Sequence, residues 1–148
     1  MKRLLISLAA LLLATVALLA QNEKADNIVG TYISAPGAGQ YRVRITRSSD
    51  GTYTGQVCWV KEKYKDGQLQ LDDKNPDKSL RQTPCDQIVL FRGLKYDAKK
   101  KHWGETKIYD PNRGIKANMT ATFVDAKTLH VRGTLLGFGE TEVWTKEK

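Results

Sequence analysis

The sequence predicts an all-β fold: an antiparallel up-and-down barrel of eight strands, of the lipocalin or streptavidin kind, with one short helix in a long loop. Three observations carry this. Apolar and polar residues alternate with period two along several runs. Turn chemistry punctuates the chain at short intervals, at Asp50-Gly51, Asp66-Gly67, Asp110-Pro111-Asn112-Arg113-Gly114 and Gly137-Phe138-Gly139. Eight such runs in hairpin order are too many to leave flat, and closure removes the unpaired edges that would recruit a neighbour. A two-sheet sandwich is the runner-up.

Strands are expected near 28–34, 41–48, 52–62, 87–96, 101–110, 114–124, 128–136 and 139–146. In Tyr41-Arg42-Val43-Arg44-Ile45-Thr46 the odd positions are apolar and the even ones polar. Tyr53, Gly55, Val57 and Trp59 share one face, with Thr54, Gln56 and Cys58 opposite. Met119, Ala121 and Phe123 oppose Thr120 and Thr122, and Leu129, Val131, Gly133 and Leu135 oppose His130, Arg132 and Thr134. One dry and one wet face marks an antiparallel sheet over a core. Ile88-Val89-Leu90-Phe91 is apolar on both faces, so its outer side needs a cover.

The stretch from Leu69 to Gln87 interrupts the meander. Asn75-Pro76 suits a helix start, because Asn caps and Pro fits the first helical position. Asp77 adds a negative charge where the helix dipole favours it, and Pro84 ends the element. The spacing predicts a helix over 76–82. A long ordered connection in a small domain serves as a lid or binding loop.

A length of 148 residues fits one domain, and 24 Lys+Arg against 16 Asp+Glu give a formal net charge of +8. The first twenty residues stand apart. Lys2 and Arg3 precede an apolar run from Leu4 to Leu13, smaller residues reach Ala20, and Gln21-Asn22-Glu23 turns polar. This is the pattern of a secretory signal peptide over 1–20. Cleavage after Ala20, with Ala17 the alternative, leaves a single domain over 21–148 and no transmembrane segment. A retained anchor is the competing reading, but Leu4 to Ala20 sits at the lower edge of the roughly 20 residues that span a bilayer. No Cys follows the run, which closes the lipoprotein route.

Export changes the reading of Cys58 and Cys85. A lone pair in an oxidising compartment is most simply one disulfide, and its loop size corresponds to about 3–4 kcal/mol by the chain-entropy argument. It would tie the long connection to the barrel wall. Two buried free thiols are the alternative.

Chemistry-bearing clusters are sparse. From Asp73, Asn75 and Asp77 fall at the third and fifth positions of a calcium loop, but Lys78 and Pro84 stand where Gly and Glu belong, so no metal is expected. His102 and His130 have no ligand spacing, and no G-x-S-x-G occurs around Ser48-Ser49. No cofactor is implied, and an enzyme acting on envelope material is the least favoured reading. Asn118-Met119-Thr120 matches a glycosylation acceptor only weakly. Lys61, Lys63, Lys65 and Lys99-Lys100-Lys101 read first as solubility and edge protection, and second as attraction to an anionic envelope component. Nucleic acid is disfavoured by export. Trp59, Trp103 and Trp144, with Tyr32, Tyr41, Tyr53 and Tyr109, either pack the barrel or line a pocket, which Gly55, Gly133, Ala117 and Ala121 would enlarge.

One ordered set of motifs points further: Asp73-Lys74-Asn75-Pro76-Asp77, Leu80-Arg81, Gly93-Leu94-Lys95-Tyr96, Trp103-Gly104, Ile108-Tyr109-Asp110-Pro111, Val131-Arg132-Gly133 and Trp144. Over about 28–146 the chain resembles the bacterial domain-of-unknown-function family 2147. The resemblance implies an exported, periplasmic or secreted bacterial envelope protein with a lipocalin-like barrel, and implies no activity. The chain departs from the family pattern at Gly104-Glu105 and at Gly114-Ile115-Lys116-Ala117. Ligand-binding candidates are Trp59, Asn75, Asp77, Arg81, Tyr109, Asp110 and Arg132, of which the two arginines suit a carboxylate or phosphate. The competing reading makes Asp110-Pro111 a turn and Asn75-Pro76 a cap, and pairs Arg81 with a local Asp. The expected task is binding of a small apolar or amphipathic ligand, with an interaction module on an anionic surface or partner protein as the alternative.

Overall fold

The computed structural model describes residues 20–37 and 39–148. The expected signal segment, save Ala20, lies outside the described residues. The strands are β1 (Gly30–Ser34), β2 (Tyr41–Arg47), β3 (Tyr53–Val60), β4 (Tyr64–Lys65), β5 (Gln68–Leu69), β6 (Val89–Asp97), β7 (His102–Asp110), β8 (Ile115–Phe123), β9 (Thr128–Leu135) and β10 (Phe138–Lys146). Eight of them close one antiparallel barrel in the order β1-β10-β9-β8-β7-β6-β3-β2, and β4 and β5 form a separate two-stranded ribbon. Sequence neighbours pair throughout, except that the connection carrying the ribbon intervenes between β3 and β6. Closure leaves no unpaired edge in the barrel.

Period-two alternation places Tyr32, Val43, Ile45, Tyr53, Leu94, Trp103, Met119, Phe123, Leu129 and Trp144 in a dry interior. Phe123 packs edge-on against Trp103 at 5.8 Å, and Trp103 lies 5.1 Å from Tyr96. Phe91 fills the space that Gly55 leaves, since a Cβ on Gly55 would fall 2.3 Å from the Phe91 ring.

Segment 20–29 seals the end of the barrel where β1 begins. Asn22 grips Phe123, its Nδ2 donating to the Phe123 carbonyl at 2.9 Å and its Oδ1 accepting from the Phe123 N–H at 3.0 Å. Trp103 Nε1 donates to the Ala25 carbonyl at 3.0 Å, and the Tyr32 hydroxyl to Ile28 at 2.8 Å. Side chains thus satisfy carbonyls that no strand pairs. Ile28 is fully buried in this plug.

Three expectations are corrected. The helix expected over 76–82 is a single 3-10 turn, Lys78–Leu80, capped by Asp77 rather than Asn75. Asn75 Oδ1 instead takes the Asp77 N–H at 2.9 Å, and Asp77 Oδ1 takes the Ser79 N–H at 2.9 Å. Side chains that capture nearby N–H groups compete with helix propagation.

The Cys58–Cys85 disulfide is not formed, and both thiols are free. Arg42 pairs with Trp59 while Val43 pairs with Val57, so Cys58 is the extra residue of a bulge in β3. Cys85 packs against the core, and its thiol faces the Lys63 carbonyl at 3.8 Å. Burial raises the Cys85 thiol above its ordinary value.

The same bulge moves Trp59 off the face it was expected to share with Val57. Trp59 stacks instead with Arg42, whose guanidinium carbon lies 4.4 Å from the ring centroid.

Burial pushes the Tyr32, Tyr41 and Tyr109 hydroxyls well above the ordinary value of 10.0, and takes Tyr53 up to about 12. The fold therefore favours the neutral phenols. Their contribution to stability is complete below pH 10 and is lost as pH rises past it. Alkaline unfolding is expected above pH 10, with phenolate absorbance and near-ultraviolet circular dichroism changing in one step. Ionisation of Tyr32, Tyr41, Tyr53 and Tyr109 near pH 10 with the dichroism intact would contradict this reading.

Candidate functional site

The end of the barrel opposite the plug opens into a cavity of about 470 Å³, within the roughly 300–1,000 Å³ usual for small-molecule sites. Its deep wall is apolar: Val57 of β3, Leu90 of β6, Ile108 of β7, Ala117 of β8, and Val131 and Gly133 of β9. Gly133 and Ala117 supply the room that small residues were expected to give. A Cβ on Gly133 would sit 3.3 Å from the Ala117 Cβ. Ala121, nearer the plug, is buried in the core.

Polar groups enter mainly from β10 and the β7–β8 turn. On β10 the alternation sends Phe138, Glu140 and Glu142 to the cavity and Trp144 to the core beneath. Glu142 lies in register with Val131, one inward step above Trp144. Its carboxylate accepts from the Tyr41 hydroxyl and, at 3.0 Å, from Trp144 Nε1. Burial first, and then the Glu142 charge, hold the Tyr41 hydroxyl protonated far above its ordinary range.

In the β7–β8 turn, Asp110 Oδ1 accepts the Asn112 N–H at 2.9 Å, and Gly114 takes a positive φ of 67°. Any side chain on Gly114 would strike the Lys74 carbonyl oxygen at 2.4 Å, so only glycine lets the long connection dock on the turn. The turn presents Arg113, which forks onto Glu140 with contacts of 2.9 and 3.1 Å and lies 3.6 Å from Asp110. The hydrogen bonds from Arg113 hold Glu140 below the usual carboxylate range.

The connection between β3 and β6 forms a strap. Asp72, 2% exposed, accepts from the Tyr109 hydroxyl at 2.6 Å and from Asn75 Nδ2 at 2.7 Å. Arg81 Nε donates to the Asn75 carbonyl at 2.8 Å, where a local Asp was the expected partner. The strap returns through Cys85 and Ile88, which line the cavity and continue into β6.

Of the seven candidates read from the sequence, Tyr109 and Asp110 stand in the cavity wall. Asn75 and Arg81 belong to the strap's own hydrogen bonds, and Asp77 caps its 3-10 turn. Trp59 and Arg132 lie outside the cavity, and Arg132 Nη1 donates to the Thr141 hydroxyl at 3.3 Å. Among the aromatics, Tyr41 and Tyr109 reach the cavity, whereas Trp103, Tyr32 and Tyr53 are core. Sequence reasoning missed Glu140 and Glu142. The available signal was the alternation that puts both on the face of Trp144.

A family described as "Uncharacterized protein conserved in bacteria (DUF2147)" matches residues 30–146. Among solved structures, the chain is similar to Protein HP1028 from the human pathogen Helicobacter pylori, described as belonging to the lipocalin family. That likeness has a TM-score of 0.67 and 17% identity, and covers 82% of this chain and 83% of that one. At such identity it speaks for the fold alone. No curated protein matches the chain.

Proposed function

Because the chain belongs to an uncharacterised bacterial family whose description carries no activity, we propose its function from geometry: it is an exported barrel that binds a small apolar or amphipathic molecule. The cavity carries this reading. It is open at one end, sealed at the other by residues 20–29, and walled by aliphatic side chains that gain by excluding water. Export rests on the character of the first twenty residues. A cut after Ala20 would spare the Asn22 contacts that seal the plug.

The test is displacement of a fluorescent apolar dye by dodecanol. Ala117→Phe would place a phenyl ring in the cavity and is expected to weaken dodecanol binding by about 100-fold, or about 2.7 kcal/mol, with the melting temperature nearly unchanged. Dodecanol that fails to bind the native protein, or binds the variant equally well, would remove the cavity as the site.

A further inference from the structure

The cavity carries a charge opposite to that of the chain. Glu62, Asp110, Glu140 and Glu142 face it against the one guanidinium of Arg113 among the described residues, in a protein whose formal net charge is +8. Arg113 is already committed to Glu140, with Asp110 beside it.

Glu142 differs from Asp110 and Glu140, which both face Arg113, in its partners. Both donors that reach it, the Tyr41 hydroxyl and the Trp144 indole N–H, are neutral. Among the described residues no cation pairs with it. It projects from β10 at the level of Val131. In the strand order β10 stands directly across the barrel from β6, whose Leu90 belongs to the apolar wall. Glu142 is exposed, so its carboxylate is accessible to a cation entering the cavity, and the neighbouring Asp110 and Glu140 carboxylates on the same lining add to the attraction. Tyr41, which lines the cavity and meets the buried Trp144 edge-on at 6.3 Å between centroids, adds aromatic surface of the kind that ammonium groups favour.

We propose that the cavity selects amphiphiles bearing an amine, with the ammonium group on Glu142 and the hydrocarbon against the facing wall of β3, β6 and β7. This rests on the cavity reading above and specifies the ligand class. An anionic amphiphile of the same chain would meet only like charge at the level of Glu142.

The experiment compares dodecylamine, dodecanol and dodecanoate as competitors of the fluorescent dye at neutral pH, on the native protein and on Glu142→Gln. The expected order on the native protein is amine, then alcohol, then carboxylate, with the amine at least about 10-fold tighter than the alcohol. Glu142→Gln should weaken dodecylamine binding by about 10-fold and so bring amine and alcohol together. Equal binding of all three, or preference for dodecanoate, overturns the amine proposal and leaves the cavity reading standing. Selectivity that survives Glu142→Gln removes Glu142 as its source. Failure of every probe brings down both readings. If the variant does not fold, the order on the native protein decides.

Discussion

Trp103→Ala is expected to bring the barrel to the edge of unfolding at room temperature. Trp103 is fully buried at the junction of β7 with the plug, 5.8 Å from Phe123 and 5.1 Å from Tyr96. Its indole N–H is the partner of the Ala25 carbonyl. Truncating a buried tryptophan costs about 3–5 kcal/mol through lost transfer energy and the cavity left behind. The orphaned carbonyl adds about 1–3 kcal/mol unless water reaches it. Domains of this size are stable by about 5–15 kcal/mol in total. Urea unfolding followed by tryptophan fluorescence measures the loss. Trp59→Ala is the control, because Trp59 stacks with Arg42 outside the cavity. It should lose about 0.5–1 kcal/mol beyond its modest burial. Equal losses for the two variants would mean that the plug does not organise the core.

That contrast between two tryptophans shows where the sequence was legible. Tyr41 to Thr46 and Leu129 to Leu135 alternate cleanly, and both form the strands their pattern predicts. Every barrel strand lies close to its expected position, because a register slip of one residue would turn its whole apolar set outward. Trp59 escaped the pattern because a bulge adds one residue without any local signature, and the parity reverses beyond Cys58. Parity continued past the bulge would have put Trp59 in the cavity.

The strap was misread for a different reason. Asn75 and Asp77 are good caps, and a cap favours a helix only when the following residues propagate it. Here each side chain closes its own local turn, and Asp72 draws Asn75 into a buried network with Tyr109. The contact between Asp72 and Tyr109 spans 37 positions and leaves no periodic trace. The cysteines posed a similar problem, since pairing depends on which way each side chain points at a bulge. Glu140 and Glu142 were legible by parity. Carboxylates on a strand read as a wet outer face, whereas inside this barrel the wet part is the cavity.

The network that escaped the sequence yields the second large effect. Asp72→Ala should release the strap while the barrel below stays closed. The substitution leaves the buried Tyr109 hydroxyl and Asn75 amide without their acceptor. Unpaired buried polar groups cost about 1–3 kcal/mol each, so a loss of about 2–4 kcal/mol is expected. Because Asp72 also holds the Thr83 carbonyl through its own N–H at 2.9 Å, part of the strap's path survives and keeps the loss local. Hydrogen exchange should rise sharply over residues 70–88 and little in β8 to β10, where ladder bonds open only with the barrel. Asp77→Ala, which removes an exposed cap, should cost much less than Asp72→Ala. Release of the strap would also loosen the wall that Cys85 and Ile88 give the cavity, so dye binding should weaken in Asp72→Ala and hold in Asp77→Ala. Exchange that rises uniformly across all strands would show that the strap and barrel unfold as one unit, and that Asp72 anchors the whole fold.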